Sequence, residues 1–530
     1  MIRRMSTPVV PMAVIPPALR RNHWMNQVAG HAAMKPHATA FKFRGVSTTW
    51  AQLHDRVGRV AAALQRRGVA FGDRVLILML NSTAVIETIL AINTLGAIAV
   101  PINVRLAPGE IAYIIDDADG DVLIVDAPLA PIVPAVCGLT GRIKRVIVLG
   151  GAGAQHPNHE PFVAIVNEPE GDFARPDVAE SSCALIMYTS GTTGRPKGAM
   201  LDHVNMFSQA VTCLLSFDGH REDDVGFLTA PLFHIAGLGS LAPNFVSGIP
   251  TVLHPLGAFS ATQTLDAWER ERATIVFNVP TQWQAICDEP TARGRDLALR
   301  IISWGAAPAS ETLLRAMDHT FPKARNVAVF GQTEMSPITC VLRGEESLRK
   351  LGSVGKPIPT IQYRIVDDAM NDVARGEVGE IVYRGPTLMQ GYWRKPEATA
   401  EAFEGGWFHS GDLVRQDDEG FVWVIDRKKD MIISGGENVY CAEVENVLFA
   451  HPDIVDVAVY GRAHERWGEV PVAAVVLRDE TDLDLKKLHV WLGGRLARFK
   501  YPKAIVRLRQ LPRNASGKVT KRTLRENDPA

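Results

Sequence analysis

The sequence has almost no net charge, few cysteines, and no apolar run long enough to be free of breaks. Its 57 lysines and arginines stand against 58 acidic residues, a net charge of −1. That balance argues against a dedicated nucleic-acid binder, which would carry a basic excess. The six cysteines, Cys137, Cys183, Cys213, Cys287, Cys340 and Cys441, form no CxxC pair. They read as free thiols of a reducing, cytoplasmic compartment rather than as a disulfide or zinc framework. The most membrane-like stretch, residues 83–102, contains Glu87, Asn93 and Gly96 and meets Pro101 at its end. A core helix followed by a strand accounts for it better than a membrane span. The first 21 residues are basic at both ends, but Pro8, Pro11, Pro16 and Pro17 break their apolar middle. A surface tail is expected there, not a signal helix. Internal repeats and long low-complexity tracts are absent as well.

What is present is the composition of a globular enzyme: 46% hydrophobic and 22% charged over 530 residues, room for two to four structural units. Short β-branched runs at 75–80, 122–125, 145–149, 184–188, 274–277, 300–303 and 327–330 alternate with helical patterns at 84–95, 203–215, 261–272 and 310–319. Such alternation predicts buried sheets covered by helices. From about 361 to 425 the pattern turns to strands and glycine-marked turns. The charged segment at 426–430 follows. After it a fresh α+β pattern predicts helices at 442–449 and 484–497, and strands at 455–460, 471–477 and 504–508. The expected division is a tail at 1–28, a large domain at 29–428 and a small one at 429–530.

The strongest single signal is YTSGTTGRPKG at residues 188–198, placed directly after an apolar strand. Gly191, Gly194 and Gly198 allow backbone N–H groups to approach an anion. Thr189, Ser190, Thr192 and Thr193 add hydroxyl donors, and Lys197 adds a positive charge. The set suits a polyphosphate, but its spacing is not the GxxxxGK[ST] of nucleotide kinases. Six further motifs follow in order: PLFH at 231–234, GAAP at 305–308, FGQTE at 330–334, GWFHSGD at 406–412, DRKKD at 426–430 and PRNASGK at 512–518.

This series resembles that of the adenylate-forming superfamily, which includes acyl-CoA and aryl-CoA synthetases, luciferases and peptide-synthetase adenylation domains. The likeness runs from about residue 30 to 525, and is greatest to bacterial fatty-acid–CoA ligases. It implies a large α/β domain with two layered sheets and a β subdomain, plus a small mobile α+β domain. It also implies ATP, magnesium and coenzyme A as co-substrates and cofactor. By that resemblance Glu334 is the magnesium ligand and Thr333 bonds the α-phosphate. Gly305, Ala306, Ala307, Phe330, Gly331 and Gln332 line the adenine, where Phe330 replaces the commoner Tyr. Asp412 and Arg427 hold the ribose. Lys518 bridges the acid and the α-phosphate during adenylation, with His234 beside the carboxylate. Lys429 is the hinge, and Gly435 and Gly436 line the path of the pantetheine arm.

The segment after His234, IAGLGSLAPNF at 235–245, holds no carboxylate. An amino acid, whose ammonium would need one, is thereby disfavoured, and an apolar acyl tail is expected. Gly237 and Gly239 are read as opening a deep acyl tunnel, and Trp304 as shortening or gating it. A medium- to long-chain fatty acid is the first choice. An aryl, branched or sterol-derived acid is the second. A fatty-acyl-AMP ligase serving a carrier protein, a luciferase-like oxidase and a catalytically inactive binder on the same fold are the competing functions. The expected partners are thus a small carboxylic acid, ATP and CoA, without nucleic acid or a membrane span. The basic stretch from Arg495 to Arg525 leaves room for peripheral membrane contact, and a homodimer is compatible with the sequence.

Overall fold

The computed structural model describes residues 20–151, 156–171, 173–189, 195–307, 309–434, 437–478, 481–493, 495–514 and 517–528. Its frame is four sheets. One holds eight strands, among them Arg74–Leu78, Ile98–Pro101, Val122–Asp126, Arg145–Leu149, Cys183–Thr189, Lys197–Asp202 and Gly391–Tyr392. A second, of nine strands, includes Gly226–Leu228, Ile275–Asn278, Ile301–Gly305, Arg325–Gly331 and Ile338–Leu342. The interior strands of both pair largely in parallel and are buried on both faces, which is why they read as unbroken apolar runs. A third, antiparallel sheet is built from Gln362–Val366, Val378–Arg384, Phe408–Gln416 and Val422–Arg427. It supplies Ile381, Tyr383, Phe408 and Val414 to the core cluster that also joins the first two sheets. The layered α/β architecture expected from the sequence is the one observed.

The membrane-like stretch becomes the helix Thr83–Thr94 and the strand Ile98–Pro101. Every residue from Ala84 to Thr94 is buried. Its polar members Glu87 and Asn93 are partnered, whereas the buried Thr88 hydroxyl is not. Glu87 receives Arg56 at 2.6 and 2.9 Å. Asn93 accepts from the Trp24 indole at 2.9 Å and donates to the Ala184 carbonyl at 2.8 Å. No helix among the described residues is long and apolar enough to cross a membrane. The helix Trp24–Met34 buries Trp24, Val28 and His31, so packed structure begins before residue 28, where the tail was expected to end. Residues 1–19 of that tail lie outside the described residues.

The chain leaves the third sheet at Arg427 and enters the last at Ile432. That last sheet contains Ile432–Ser434, Glu437–Val439, Ile454–His464, Gly468–Leu477 and Ala504–Arg507, covered by the helices Cys441–Phe449 and Leu485–Leu492. The second helix is shorter than the 484–497 expected from its periodicity. Gly493, at ψ 121°, takes the chain out of helical geometry, as glycine at a helix end commonly does.

Candidate functional site

The strand Cys183–Thr189 and its antiparallel partner Lys197–Asp202 carry the two ends of the phosphate loop, with Thr189 opposite Lys197. The loop residues Ser190, Gly191, Thr192, Thr193 and Gly194 lie outside the described residues, as do Pro308, Gly435 and Gly436. The roots of the loop are clamped. The Tyr188 hydroxyl donates to Asp117 at 2.8 Å, and the Lys395 ammonium binds the same carboxylate. Tyr113 donates to the Pro196 carbonyl at 3.1 Å. Lys197 lies over the ring of Tyr392, 5.0 Å from its centroid.

Gly305 ends the strand Ile301–Gly305, and Phe330 and Gly331 end the neighbouring strand Arg325–Gly331. A Cβ at Gly305 would lie 2.4 Å from the Val329 carbonyl oxygen, so only glycine lets the two strand ends approach so closely. Ala306 follows in the left-handed region at φ 66°, a strained conformation of the kind found at ligand-binding turns. Ala306 and Ala307 are exposed and Phe330 is half-buried. Gln332 is tied back through its N–H to the Pro337 carbonyl at 2.8 Å. The turn Thr333–Met335 buries Glu334 (8% exposed), whose Oε1 accepts from the Tyr392 hydroxyl at 3.0 Å. Burial and the facing carboxylate raise the Tyr392 phenol above its ordinary range, so it stays a neutral donor.

On the third sheet Asp412 and Arg427 sit opposite each other on adjacent antiparallel strands, Nε to Oδ1 at 2.6 Å. The Ser410 hydroxyl donates to the Ile381 carbonyl at 2.5 Å and accepts from the Asp412 N–H at 3.0 Å. Burial raises the Asp412 carboxyl to about 6; Arg427 and Lys518 oppose the rise, while Glu380 and Glu334 add to it.

Lys518 comes from the last segment of the chain, held in a tight turn. Its N–H donates to Asn514 Oδ1 at 3.0 Å and its carbonyl accepts from the Asn514 N–H at 2.8 Å. Gly517 supplies the required φ of 84°. Arg427, Asp412 and Glu334 all act on its ammonium electrostatically. Lys518 is an exposed residue whose charge is nevertheless partly desolvated by the protein around it. That desolvation, with Arg427, lowers its pKa below the ordinary lysine value. His234 lies in the same field. Burial, then Lys518 and Arg105, hold its imidazole down at about 4, so it is neutral at pH 7. The structure thus gathers Glu334, Asp412, Arg427, Lys518 and His234 from five separate motifs into one site.

Gly237, Gly239 and Trp304, expected in the acyl region, are all closely packed. A Cβ at Gly237 would meet the Pro231 carbonyl oxygen at 2.3 Å, and one at Gly239 would meet Pro337 Cδ at 2.6 Å. The direction in which each would carry a side chain is filled by protein. Trp304 belongs to the cluster of Val276, Trp283, Ile302, Leu313 and Leu314, whereas Leu238 and Leu241, from the helix that carries Gly237, belong to another. Its indole donates to Asn326 at 2.9 Å and it is only 8% exposed. It is a core residue on the opposite face of the strand.

Lys429 is exposed at the boundary between the third and last sheets, and its neighbours Arg427, Arg525 and Lys521 help burial to lower its pKa. Beside it, the buried Asp426 carboxylate accepts from the N–H of Cys441, the first residue of the helix Cys441–Phe449, and from the Arg427 N–H at 2.8 Å. Sequence reading missed Tyr392, Asp117, Arg105 and Asn81. Asn81 fixes the turn before His234, donating to the Ala230 carbonyl at 3.0 Å and accepting from the Leu232 N–H at 2.9 Å. None of the four carries a local signal, because each acts on a segment far away in sequence.

Among the described residues no group of three or more His, Cys, Asp or Glu could hold a metal by itself. Glu334 offers a single carboxylate, and one of its oxygens already accepts from Tyr392. This donor set fits magnesium carried on a nucleotide, where phosphate and water oxygens supply most ligands.

The family model described as AMP-binding enzyme matches residues 28–393, and that described as AMP-binding enzyme C-terminal domain matches 443–518. Feruloyl-CoA synthase of Amycolatopsis sp is 41% identical over 93% of this chain and 96% of that protein. Indoleacetate–CoA ligase of Aromatoleum aromaticum is 39% identical (95% and 97%). Long-chain-fatty-acid–CoA ligase FadD13 of Mycobacterium tuberculosis is 34% identical (95% and 97%). Among solved structures, O-succinylbenzoate coenzyme A synthetase of Bacillus subtilis, in complex with ATP and magnesium ion, superposes with a TM-score of 0.83 at 30% identity, covering 96% of this chain and 99% of that one.

Proposed function

The chain belongs to the AMP-binding enzymes and is an ATP-dependent acid–CoA ligase, and we propose that the acid it activates is an aromatic carboxylic acid. The observation that carries this reading is the closed packing at Gly237 and Gly239. Main chain and Pro337 crowd this part of the helix after His234, and such close packing favours a compact, planar acyl group over a long flexible tail. The relatives named for feruloyl-CoA and indoleacetate–CoA are closer in sequence than the one named for long-chain fatty acids. A fatty acid is the alternative.

In the proposed reaction a carboxylate oxygen of the acid attacks the α-phosphorus of ATP and pyrophosphate leaves. Negative charge gathers on the α-phosphoryl oxygens in the transition state, and preorganised cations and donors lower its energy. In this reading Lys518 bridges both reactants, with Thr333 as a donor and neutral His234 beside the acid; the shared electrostatic field of Lys518, Glu334, Asp412 and His234 supports it. Asp412 accepts from the ribose hydroxyls while Arg427 holds its carboxylate. Magnesium on Glu334 would neutralise phosphate charge. In the second step the CoA sulfur attacks the acyl carbon and AMP leaves. Lys518 has no part in that step, so the small domain turns about Lys429 and withdraws it, and the pantetheine arm enters past Gly435 and Gly436.

The test is a panel of hydroxycinnamic, arylacetic and substituted benzoic acids against straight-chain acids of increasing length, each with ATP, magnesium and CoA, read by acyl-CoA mass. An aromatic acid should exceed every straight-chain acid in kcat/KM by at least about tenfold, the discrimination a shaped apolar pocket gives. A long saturated acid at the top of the ranking would overturn the aromatic reading.

A further inference from the structure

Tyr392 touches both charged ends of the nucleotide site. Its hydroxyl donates to Glu334 Oε1 at 3.0 Å, and its ring face lies 5.0 Å from the Lys197 ammonium. One side chain thus contacts the carboxylate assigned to magnesium and the lysine assigned to phosphate. The three residues are far apart in sequence and come together only because the short strand Gly391–Tyr392 adds to the edge of the phosphate-loop strand, with Tyr392 opposite Ala199 and Gly391 opposite Met200.

The segment is held too firmly for the contact to be incidental. The Tyr392 N–H donates to Thr399 Oγ1 at 3.0 Å. The Trp393 N–H donates to the Gly198 carbonyl at 2.8 Å, and its indole donates to the Asp117 carbonyl at 3.1 Å. Lys395 binds the Asp117 carboxylate that also receives Tyr188. Residues 391–395 therefore form a strap across the root of the phosphate loop, and Tyr392 is the part of the strap that points to Glu334. A carboxylate with one oxygen held by a neutral donor keeps the other free for a hard cation, in a fixed orientation. A cation over a ring face is steered without losing its charge.

We infer that Tyr392 is a positioning residue that couples metal binding to phosphate binding, its hydroxyl orienting Glu334 and its ring orienting Lys197. This rests on the assignment of Glu334 to magnesium. Tyr392→Phe separates the two contacts, because it removes only the hydroxyl. Its predicted signature is an unchanged affinity for ATP in EDTA, measured calorimetrically, and about a tenfold rise in the magnesium concentration that half-saturates ATP binding, as expected for a lost bond to a charged group. Tyr392→Leu, which also removes the ring, should in addition weaken magnesium-free ATP binding.

Thermal unfolding of each variant excludes a folding defect, and the cycle with Glu334→Gln keeps the test decisive. In the Glu334→Gln background the Tyr392→Phe change should leave the magnesium requirement where Glu334→Gln alone puts it. A Tyr392→Phe enzyme with the original magnesium curve, or effects that simply add in the double variant, would overturn the coupling. If instead Glu334→Gln alone leaves the magnesium curve unmoved, it is the assignment of Glu334 that fails.

Discussion

Gly237→Ala distinguishes sharply between a glycine that opens a tunnel and one that closes a turn. The added Cβ would sit 2.3 Å from the Pro231 carbonyl oxygen, 2.8 Å from its carbonyl carbon and 3.2 Å from the Ala230 oxygen. Carbon–oxygen contacts below 3.0 Å are essentially never seen for real Cβ atoms. The 230–234 turn must therefore move by about 1 Å or the helix Ile235–Ser247 must rotate, and overpacking of this kind costs about 1–3 kcal/mol. The turn cannot yield freely, because the buried Asn81 side chain bonds it at both Ala230 and Leu232. His234, whose own N–H bonds the Pro231 carbonyl at 3.0 Å, moves with it. The expected result is a melting point lowered by a few degrees, together with a loss of adenylation of about tenfold or more toward every acid, since a 1 Å displacement can cost that much. Thermal unfolding and acid-dependent pyrophosphate release across the panel read both effects. A variant with the original melting point whose only change is a preference for shorter acids would refute the packing argument and restore the tunnel.

Trp304→Ser should behave as a core deletion. It removes a buried indole and its bond to Asn326, a loss of about 3–5 kcal/mol by analogy with large-to-small core changes; the ranking of acids by kcat/KM among the folded fraction should stay as it was. Acid lability should trace in part to His203, which is buried and held at about 3. Its folded pKa lies below the unfolded value of about 6.5, so its contribution is full above that pH and is lost as pH falls through that window toward the folded pKa, about 2 kcal/mol by pH 5. Asp126 and Asp426, raised to about 6 by burial, act in the opposite sense: their contribution is present below about 4 and lost as pH rises through about 6. Only the comparison of His203→Gln with the parent isolates the histidine. The fall in melting point between pH 7.5 and pH 5 should be smaller in the variant, and an equal fall in both would count against it.

Much of the fold was legible because the parallel strands are buried on both faces and therefore run apolar, and because the helices between them keep their period. The pairing of Asp412 with Arg427 follows from the strand on each side of a single turn region, so a motif reading brought both to the site. What could not be read depends on which face a side chain takes after folding. Trp304 and Ser303 are adjacent, yet they point to opposite faces of one strand, and only the stacking of helices decides which face meets the acid. The glycines at 237 and 239 look like open space in a sequence and are in fact contacts with backbone and Pro337. Tyr392 was invisible for a different reason: its partners Glu334 and Lys197 are reached by strand addition at a sheet edge, not by any local spacing. The helix expected at 484–497 stopped early because Gly493 broke a period that the apolar residues alone would have continued.

The account stands most directly on Lys518. From the far end of the chain it enters the electrostatic field of Arg427, Asp412 and Glu334, and its proposed role belongs to adenylation alone. The deciding measurement is a single-turnover comparison of Lys518→Ala with the parent enzyme, in two parts: acyl-adenylate formation from acid and ATP, and acyl-CoA formation from acyl-adenylate supplied ready-made. Adenylation should fall by about a hundredfold or more, the usual loss when one charge stabiliser of a transition state is removed, while transfer to CoA proceeds at the parent rate. An equal fall in both parts, or no fall in the first, would contradict the account.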